Sequence, residues 1–357
     1  MEALSYLGNR CNLHLLTISL QIQNNIHAFG GDSEYLTGAG ESAGAFSIAS
    51  HLASDFPAFR HAVILSCPSP ALQSAEQHQA TFDRLVTSTG LSISAPAGDK
   101  IAALRSLSTE QIHSLLNGGI ASPAWDEKFF TNQKVQTAIH FSDGFPSWLK
   151  LAVVGHTRDE LALFSNAWQK ATRETLLQDL QDLFSDKAYM KEVLETYGVT
   201  TTSTQQELVE AYIRLVSDCS FSKATYDLCR PSNKSPLCLY SFDQEDLGGD
   251  FKGLSYHSLD NPFLFLLPAV AGAKAPSAWK RTAEAFAKML VDVAYGEEPW
   301  ERYDVAGRAM SFDGDRTGLT EATNFRRWKH LISTTEREQM FMGAVQLLHG
   351  AMMEKPA

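Results

Sequence analysis

The run Gly40-Glu41-Ser42-Ala43-Gly44 satisfies the pattern Gly-x-Ser-x-Gly, with extended-type residues before it and a helical run after it. A serine in that setting can act as a nucleophile. The chain turns sharply from strand into helix and the serine takes a strained backbone conformation. Side chains on the flanking residues are expected to clash with the neighbouring strand and helix, so both Gly40 and Gly44 are needed. The turn lifts the Ser42 hydroxyl clear of its surroundings and aims the Ala43 N–H at an oxyanion. The bare pattern is expected by chance roughly 0.1 times in such a chain, so the strand and helix beside it add weight. A serine hydroxyl is a poor nucleophile until a histidine takes its proton and a buried acid holds that histidine in the right tautomer. Eleven histidines are available, too many for composition to choose among them.

Short extended runs alternate with longer helical ones, and these elements must carry the reactive groups. Strands are expected at Tyr35-Leu36-Thr37, His61 to Leu65, Leu149 to Val154 and Leu237 to Phe242. The Val/Ile-rich runs are apolar on both faces, as buried parallel strands are. Helices are expected at Ala43 to Leu52, Thr172 to Leu183, Asp186 to Tyr197, Gln205 to Cys219 and Ala278 to Tyr295. The alternation predicts an α/β fold with a mainly parallel sheet and helices on both faces. Residues 172–218 form an almost unbroken helical pattern between two strands, so they read as a helical cap insertion. Ser92 to Asp99 and Ala269 to Ser277 read as loops.

Composition excludes several function classes. The 357 residues are 44% hydrophobic and 20% charged, which fits a soluble globular chain with a large core. Acidic residues outnumber basic ones 41 to 30, so the net charge of −11 argues against nucleic acid and membrane surfaces as partners. Cys11, Cys67, Cys219, Cys229 and Cys238 follow no CxxC or Cys/His metal spacing. They read mostly as free buried thiols, with one bridge among the last three left open. The apolar stretch Phe263 to Ala273 contains Pro268 and is too short to span a bilayer, so it reads as core. Met1 to Gly8 lack a basic and apolar leader, so the expectation for the chain as written is a cytoplasmic location; the sequon Asn233-Lys234-Ser235 points weakly towards secretion.

A longer pattern surrounds the serine: Asn25-Ile26-His27-Ala28-Phe29-Gly30-Gly31-Asp32, then Thr37, Gly40 to Ala45, Ser47 and His51-Leu52. It resembles the signature of the type-B carboxylesterase and cholinesterase family of α/β-hydrolases, with Ser33 in place of the family's Pro. In that fold the acid and then the histidine follow the serine. Val153 to Phe164 is similar to the family's strand and acid loop, which implies Glu160 as the triad acid, although Leu161 replaces a Gly and Asp159 stands next to it. Tyr256 to Phe265 is similar to the histidine loop, implying His257 as the general base; His156 lies too close to the acid, on the same loop. Ser217-Asp218 with Phe221 and Ala224, and Ala294 to Phe312, match more loosely, so the resemblance runs from about Gly8 to about Phe312. It implies a carboxylic-ester hydrolase acting on small-molecule esters through an acyl-enzyme, with no cofactor and no metal.

The family's His-Gly-Gly-Gly oxyanion loop is absent from the sequence, and only 41 residues precede Ser42. The expectation is therefore one α/β-hydrolase domain over residues 1–357, short at its N-terminal end, of low activity, with an exposed sheet edge inviting self-association. Secretion is expected if a leading segment is missing. Two alternatives are an inactive cholinesterase-like interaction domain and an incomplete gene product.

Overall fold

Six strands make one sheet in the order β1-β2-β3-β4-β5-β6. They are β1 Thr37–Glu41, β2 His61–Leu65, β3 Leu151–Thr157, β4 Leu237–Phe242, β5 Arg308–Phe312 and β6 Gly318–Glu321. Pairing is parallel from β1 through β5, and β6 closes the sheet antiparallel to β5. The computed structural model describes residues 10–69, 72–115, 123–126, 129–130, 141, 144–230, 236–321 and 325–347. Met1 to Gly8 and the Asn233-Lys234-Ser235 sequon lie outside these residues, as does the Cys11 side chain.

The alternation of side chains along each strand divides the core. Ala62 and Ile64 of β2, Ala152 and Val154 of β3, and Leu237 and Leu239 of β4 face one apolar cluster. Val63 and Leu65, Leu151 and Val153, and Cys238, Tyr240 and Phe242 face the other. A strand with both faces buried is mostly apolar along its length, and that is why these runs could be read directly.

The eight helices used below are α1 Arg10–Asn25, α2 Ala43–Leu52, α3 Arg173–Leu183, α4 Lys187–Thr196, α5 Gln205–Ser217, α6 Lys223–Cys229, α7 Ser277–Ala294 and α8 Thr335–Gly343. On one face of the sheet α7 buries Ala283, Phe286, Met289 and Val293, one stripe at helical spacing. Phe286 sits with its ring centroid 5.3 Å from both Tyr240 and Phe242 and 4.8 Å from Phe312. The other face is covered by α2, the helices between β3 and β4, and the C-terminal segment. There Trp328 stacks on Phe341 of α8 and donates its indole N–H to Ser222 Oγ at 3.1 Å.

The segment between β3 and β4 starts its helices at the capping residues its sequence carries. Thr172 caps α3, Asp186 caps α4, and Thr204 with Glu207 forms a reciprocal capping box on α5. Between α5 and α6 the chain widens into a π-helical turn, Asp218–Ser222.

Several expectations need correction. The first strand is Thr37–Glu41 rather than Tyr35 to Thr37, because register with β2 pairs Thr37 with His61 through Glu41 with Leu65. Gly-Ala-Gly has little intrinsic strand preference, and tertiary pairing overrides it. The third strand runs on to Thr157 instead of stopping at Val154. The expected first loop ends at Pro96, where a helix Ala97–Ser106 begins, and a helical turn Pro268–Ala271 interrupts the second. The Phe263 to Ala273 stretch is only partly core: Phe263 and Leu264 are buried, but Phe265, Leu266 and Leu267 are exposed. Cys67, Cys219, Cys229 and Cys238 are all buried and free, so no bridge joins the last three. Burial pushes the Cys67 and Cys238 thiols up to about 12, which makes them unreactive.

Among the described residues no helix is long and apolar enough to cross a membrane. β1 has a strand neighbour on one side only among the same residues, and Phe29 and Tyr35 nearby are exposed.

Gly155 of β3 pairs with Tyr240 of β4. A Cβ there would run into the Tyr240 ring and carbonyl oxygen, neither of which can move without disturbing β4. Gly155→Ala is expected to destabilise the protein by about 1–3 kcal/mol. A urea unfolding midpoint that falls with unchanged slope would show this; an unchanged midpoint would contradict it.

Candidate active site

Ser42 sits at the turn from β1 into α2 with φ 54° and ψ −118°, a left-handed conformation rare for a residue with a side chain. Such strain costs about 1–3 kcal/mol and persists only where the surroundings enforce it. Here the Ser42 N–H donates to Leu65 O on β2 at 3.0 Å, and the Ser42 carbonyl accepts from Phe46 N–H in the first turn of α2 at 3.0 Å. The two flanking glycines differ. A Cβ on Gly40 would overlap the Gly44 carbonyl group, so Gly40 is sterically required, whereas a Cβ on Gly44 would meet open space. The expectation that both glycines avoid a clash is thus correct for one only: the close approach lies between the strand end and the first helical turn, on the Gly40 side. Ala43 opens α2, so its N–H has no intrahelical acceptor and points from the positive end of the helix.

Glu160 lies in the turn after β3 and is 0% exposed. Its Oε1 accepts the Thr157 N–H at 2.8 Å, and its Oε2 faces His257 Nδ1 at 2.5 Å. The next residue, Leu161, donates its N–H to Ser217 Oγ at 3.0 Å, which ties the acid turn to the end of α5. Asp159, the competing carboxylate, points elsewhere. It accepts the Ser255 N–H at 3.0 Å and Arg158 Nε at 2.9 Å, binding its own turn to the histidine loop.

His257 completes the constellation. Its N–H donates to the Glu160 carbonyl at 3.2 Å, and Nε2 lies 2.8 Å from Ser42 Oγ. The Phe221 ring, from the π-helical turn, rests 5.0 Å from the imidazole. Glu41 approaches the same Nε2 at 3.2 Å while accepting the Ser258 hydroxyl at 2.7 Å. Ser42, Glu160 and His257, which come from three separate strand-end loops, therefore form one continuous hydrogen-bonded chain.

Burial alone would lower the pKa of His257. The Glu160 hydrogen bond and the charges of Glu160, Glu41 and Asp260 outweigh it, so the imidazole titrates above the ordinary histidine value. Asp260, fully buried behind it, is pushed up to about 7 by burial and by the neighbouring charges of Glu160 and Glu41. Tyr240 holds one Asp260 oxygen at 3.3 Å. His156 lines a cavity with Ser241, Asp243 and Phe325, and its Nδ1 is buried without a hydrogen-bond partner among the described residues. Among the described residues no group of three or more His, Cys, Asp or Glu is placed to hold a metal ion.

The sequence points to Ser42, Glu160 and His257 but not to what fixes them. Ser217 and Phe221 stood in a loosely matching run, and only the fold brings them to the acid turn and the imidazole. Asp218 of that run is 3% exposed and receives both Arg327 and the Tyr197 hydroxyl, which anchors α5 to the C-terminal segment. Thr157 and Ser258 carried no sequence signal; Asp260 did, as the acid of the histidine loop.

The sequence profile of the carboxylesterase family matches residues 17–342. A para-nitrobenzyl esterase of Bacillus subtilis (strain 168) is 27% identical over 259 residues, covering 68% of this chain and 49% of its own length. The chain thus spans about half of that relative. Two solved structures of PNB esterase share the fold. One has a TM-score of 0.65 at 22% identity, covering 90% of this chain and 68% of its own; the other has a TM-score of 0.60 at 20% identity, covering 92% and 68%. The sheet is that of the α/β-hydrolases, and the chain belongs to the carboxylesterase family.

Proposed function

We propose that this chain hydrolyses small-molecule carboxylic esters through an acyl-enzyme, with Ser42 as nucleophile, His257 as general base and acid, and Glu160 as the orienting acid. The hydrogen-bonded chain from Ser42 Oγ through His257 to Glu160, with Ser42 held at positive φ, supports this reading most strongly. In the first step the Ser42 oxygen attacks the ester carbonyl as its proton passes to His257 Nε2. The imidazolium returns that proton to the departing alkoxide, leaving an acyl-serine. Water, deprotonated by the same nitrogen, then attacks the acyl carbon, and the carboxylic acid leaves as the imidazolium returns its proton to the Ser42 oxygen. Glu160 holds Nδ1–H and stabilises the imidazolium without taking the proton, and the Ala43 N–H stabilises the oxyanion.

No His-Gly-Gly-Gly run stands in the sequence. Losing one oxyanion donor typically costs about 10² to 10³ in rate, so turnover is expected to be low. That absence is also the one feature favouring the second reading, an inactive interaction domain. The two readings part in a direct assay. Ser42→Ala is expected to abolish both fluorophosphonate labelling and p-nitrophenyl acetate hydrolysis. Labelling that persists in the variant would remove Ser42 from the role, and no serine-dependent hydrolysis in the parent would favour the inactive domain.

The pH dependence follows from the charge around His257. A protonated imidazole cannot accept the Ser42 proton, so kcat/KM rises with pH through the pKa of His257, which lies above 6.5. Glu41→Gln removes one of the charges holding that pKa up and is expected to move the acid limb to lower pH. A limb at or below 6.5 in the parent, or one unmoved by Glu41→Gln, would contradict the electrostatics.

Among the described residues β1 has a strand neighbour on one side only, and the exposed Phe29 lies in the segment leading into it, which supports self-association of two copies through this edge. Sedimentation should then show a concentration-dependent dimer that Phe29→Lys weakens; a monomer throughout would refute it.

A further inference from the structure

We infer that the cavity at the carboxyl-terminal ends of β3, β4 and β5 binds a small primary alkylammonium ion, at a site separate from Ser42. The sheet register builds it. His156 of β3 pairs with Ser241 of β4, and Ser241 pairs with Ser311 of β5, so three polar side chains stand in one row on an otherwise apolar sheet face. Above this row lies a cavity of about 140 Å³, with Asp243 and Phe325 in its wall and Thr320 and Glu321 at its exposed rim.

Among the described wall residues, Asp243, the Ser311 oxygen and His156 Nδ1 are the groups placed to accept from an occupant. The Ser241 and Ser311 hydroxyls both donate to Asp243 Oδ2 at 2.8 Å, so the Ser311 oxygen offers only its lone pairs to an occupant. His156 is 5% exposed, and its Nδ1 is buried without a hydrogen-bond partner. Burial lowers the pKa of this imidazole, which favours the neutral ring whose Nδ1 can accept. Its ring stacks on Phe325 at 6.5 Å.

The local charge is unbalanced in the same sense. Arg326 is taken by Glu321, Arg327 by Asp218, Arg316 by Asp313, and Arg158 by Asp159 and Glu245. Among the described residues no Lys, Arg or His forms an ion pair with Asp243. An occupant that donates several hydrogen bonds and carries positive charge satisfies Asp243, the Ser311 oxygen and His156 Nδ1 together. Leu239, Ala309 and Phe325 form the apolar wall against which an alkyl tail packs. A primary alkylammonium has both parts; an anion meets only lone pairs and negative charge.

The probe is n-butylammonium chloride, titrated into the full chain with the His156 imidazole resonances followed by NMR and unfolding followed by heat. The expected result is a saturable shift of those resonances and a rise in Tm. Neither n-butanol nor potassium chloride at equal ionic strength should produce it, and Ser42→Ala should retain it. Asp243→Asn is expected to weaken binding about tenfold or more. Should that variant fail to fold, Thr320→Leu narrows the mouth without touching the Asp243 network and must weaken binding instead. No saturable response, an equal response to n-butanol, loss of binding in Ser42→Ala, or unchanged affinity in either folded variant overturns the proposal.

Discussion

Removing a carboxylate from water costs several kcal/mol unless donors replace its hydration, and Glu160 is 0% exposed. Its oxygens are satisfied by one backbone N–H, from Thr157, and by one imidazole, His257. The position of His257 is therefore fixed by the needs of a buried charge as well as by its own loop. The same constraint sets the tautomer: with Nδ1–H committed to Glu160, Nε2 is left to accept from Ser42.

Holding those partners in place requires parts of the chain far apart in sequence. The Glu160 turn is tied to α5 through Ser217, to the histidine loop through Asp159 and Ser255, and to the imidazole itself. The end of α5 is in turn anchored by the Asp218 to Arg327 pair, which reaches into the C-terminal segment. The π-helical turn at Asp218–Ser222 serves this geometry: its extra residue brings Phe221 against His257 while Ser222 still meets the Trp328 indole. The helical segment between β3 and β4 thereby supports the positions of Glu160 and His257.

The fold was legible where burial on both sides left no freedom of composition, as in His61–Leu65 and Leu237–Phe242, and where capping residues announced helix starts, as at Thr172, Asp186 and Thr204. It was illegible where structure came from pairing alone. β1 is Gly-Ala-Gly with a Thr and a Glu at its ends, and β6 is Gly-Leu-Thr-Glu; neither has a strand composition, and each exists because a neighbour supplies its hydrogen bonds. The exposed run Phe265 to Leu267 misled for the opposite reason, since hydrophobic residues imply burial only when something lies over them.

The sequence by itself determined the kinds of groups present and their chain order: a serine in a Gly-x-Ser-x-Gly turn, a downstream acid loop, and a histidine loop beyond it. Local pattern and family likeness are enough for that, because each group is marked by its immediate neighbours. Tertiary structure decided which of Asp159 and Glu160 faces the imidazole, which of Gly40 and Gly44 is sterically required, and that Glu41 joins the charge around His257. Those outcomes depend on ångström-scale distances between segments that the chain brings together only through sheet register and helix packing. No local pattern in the sequence encodes such distances.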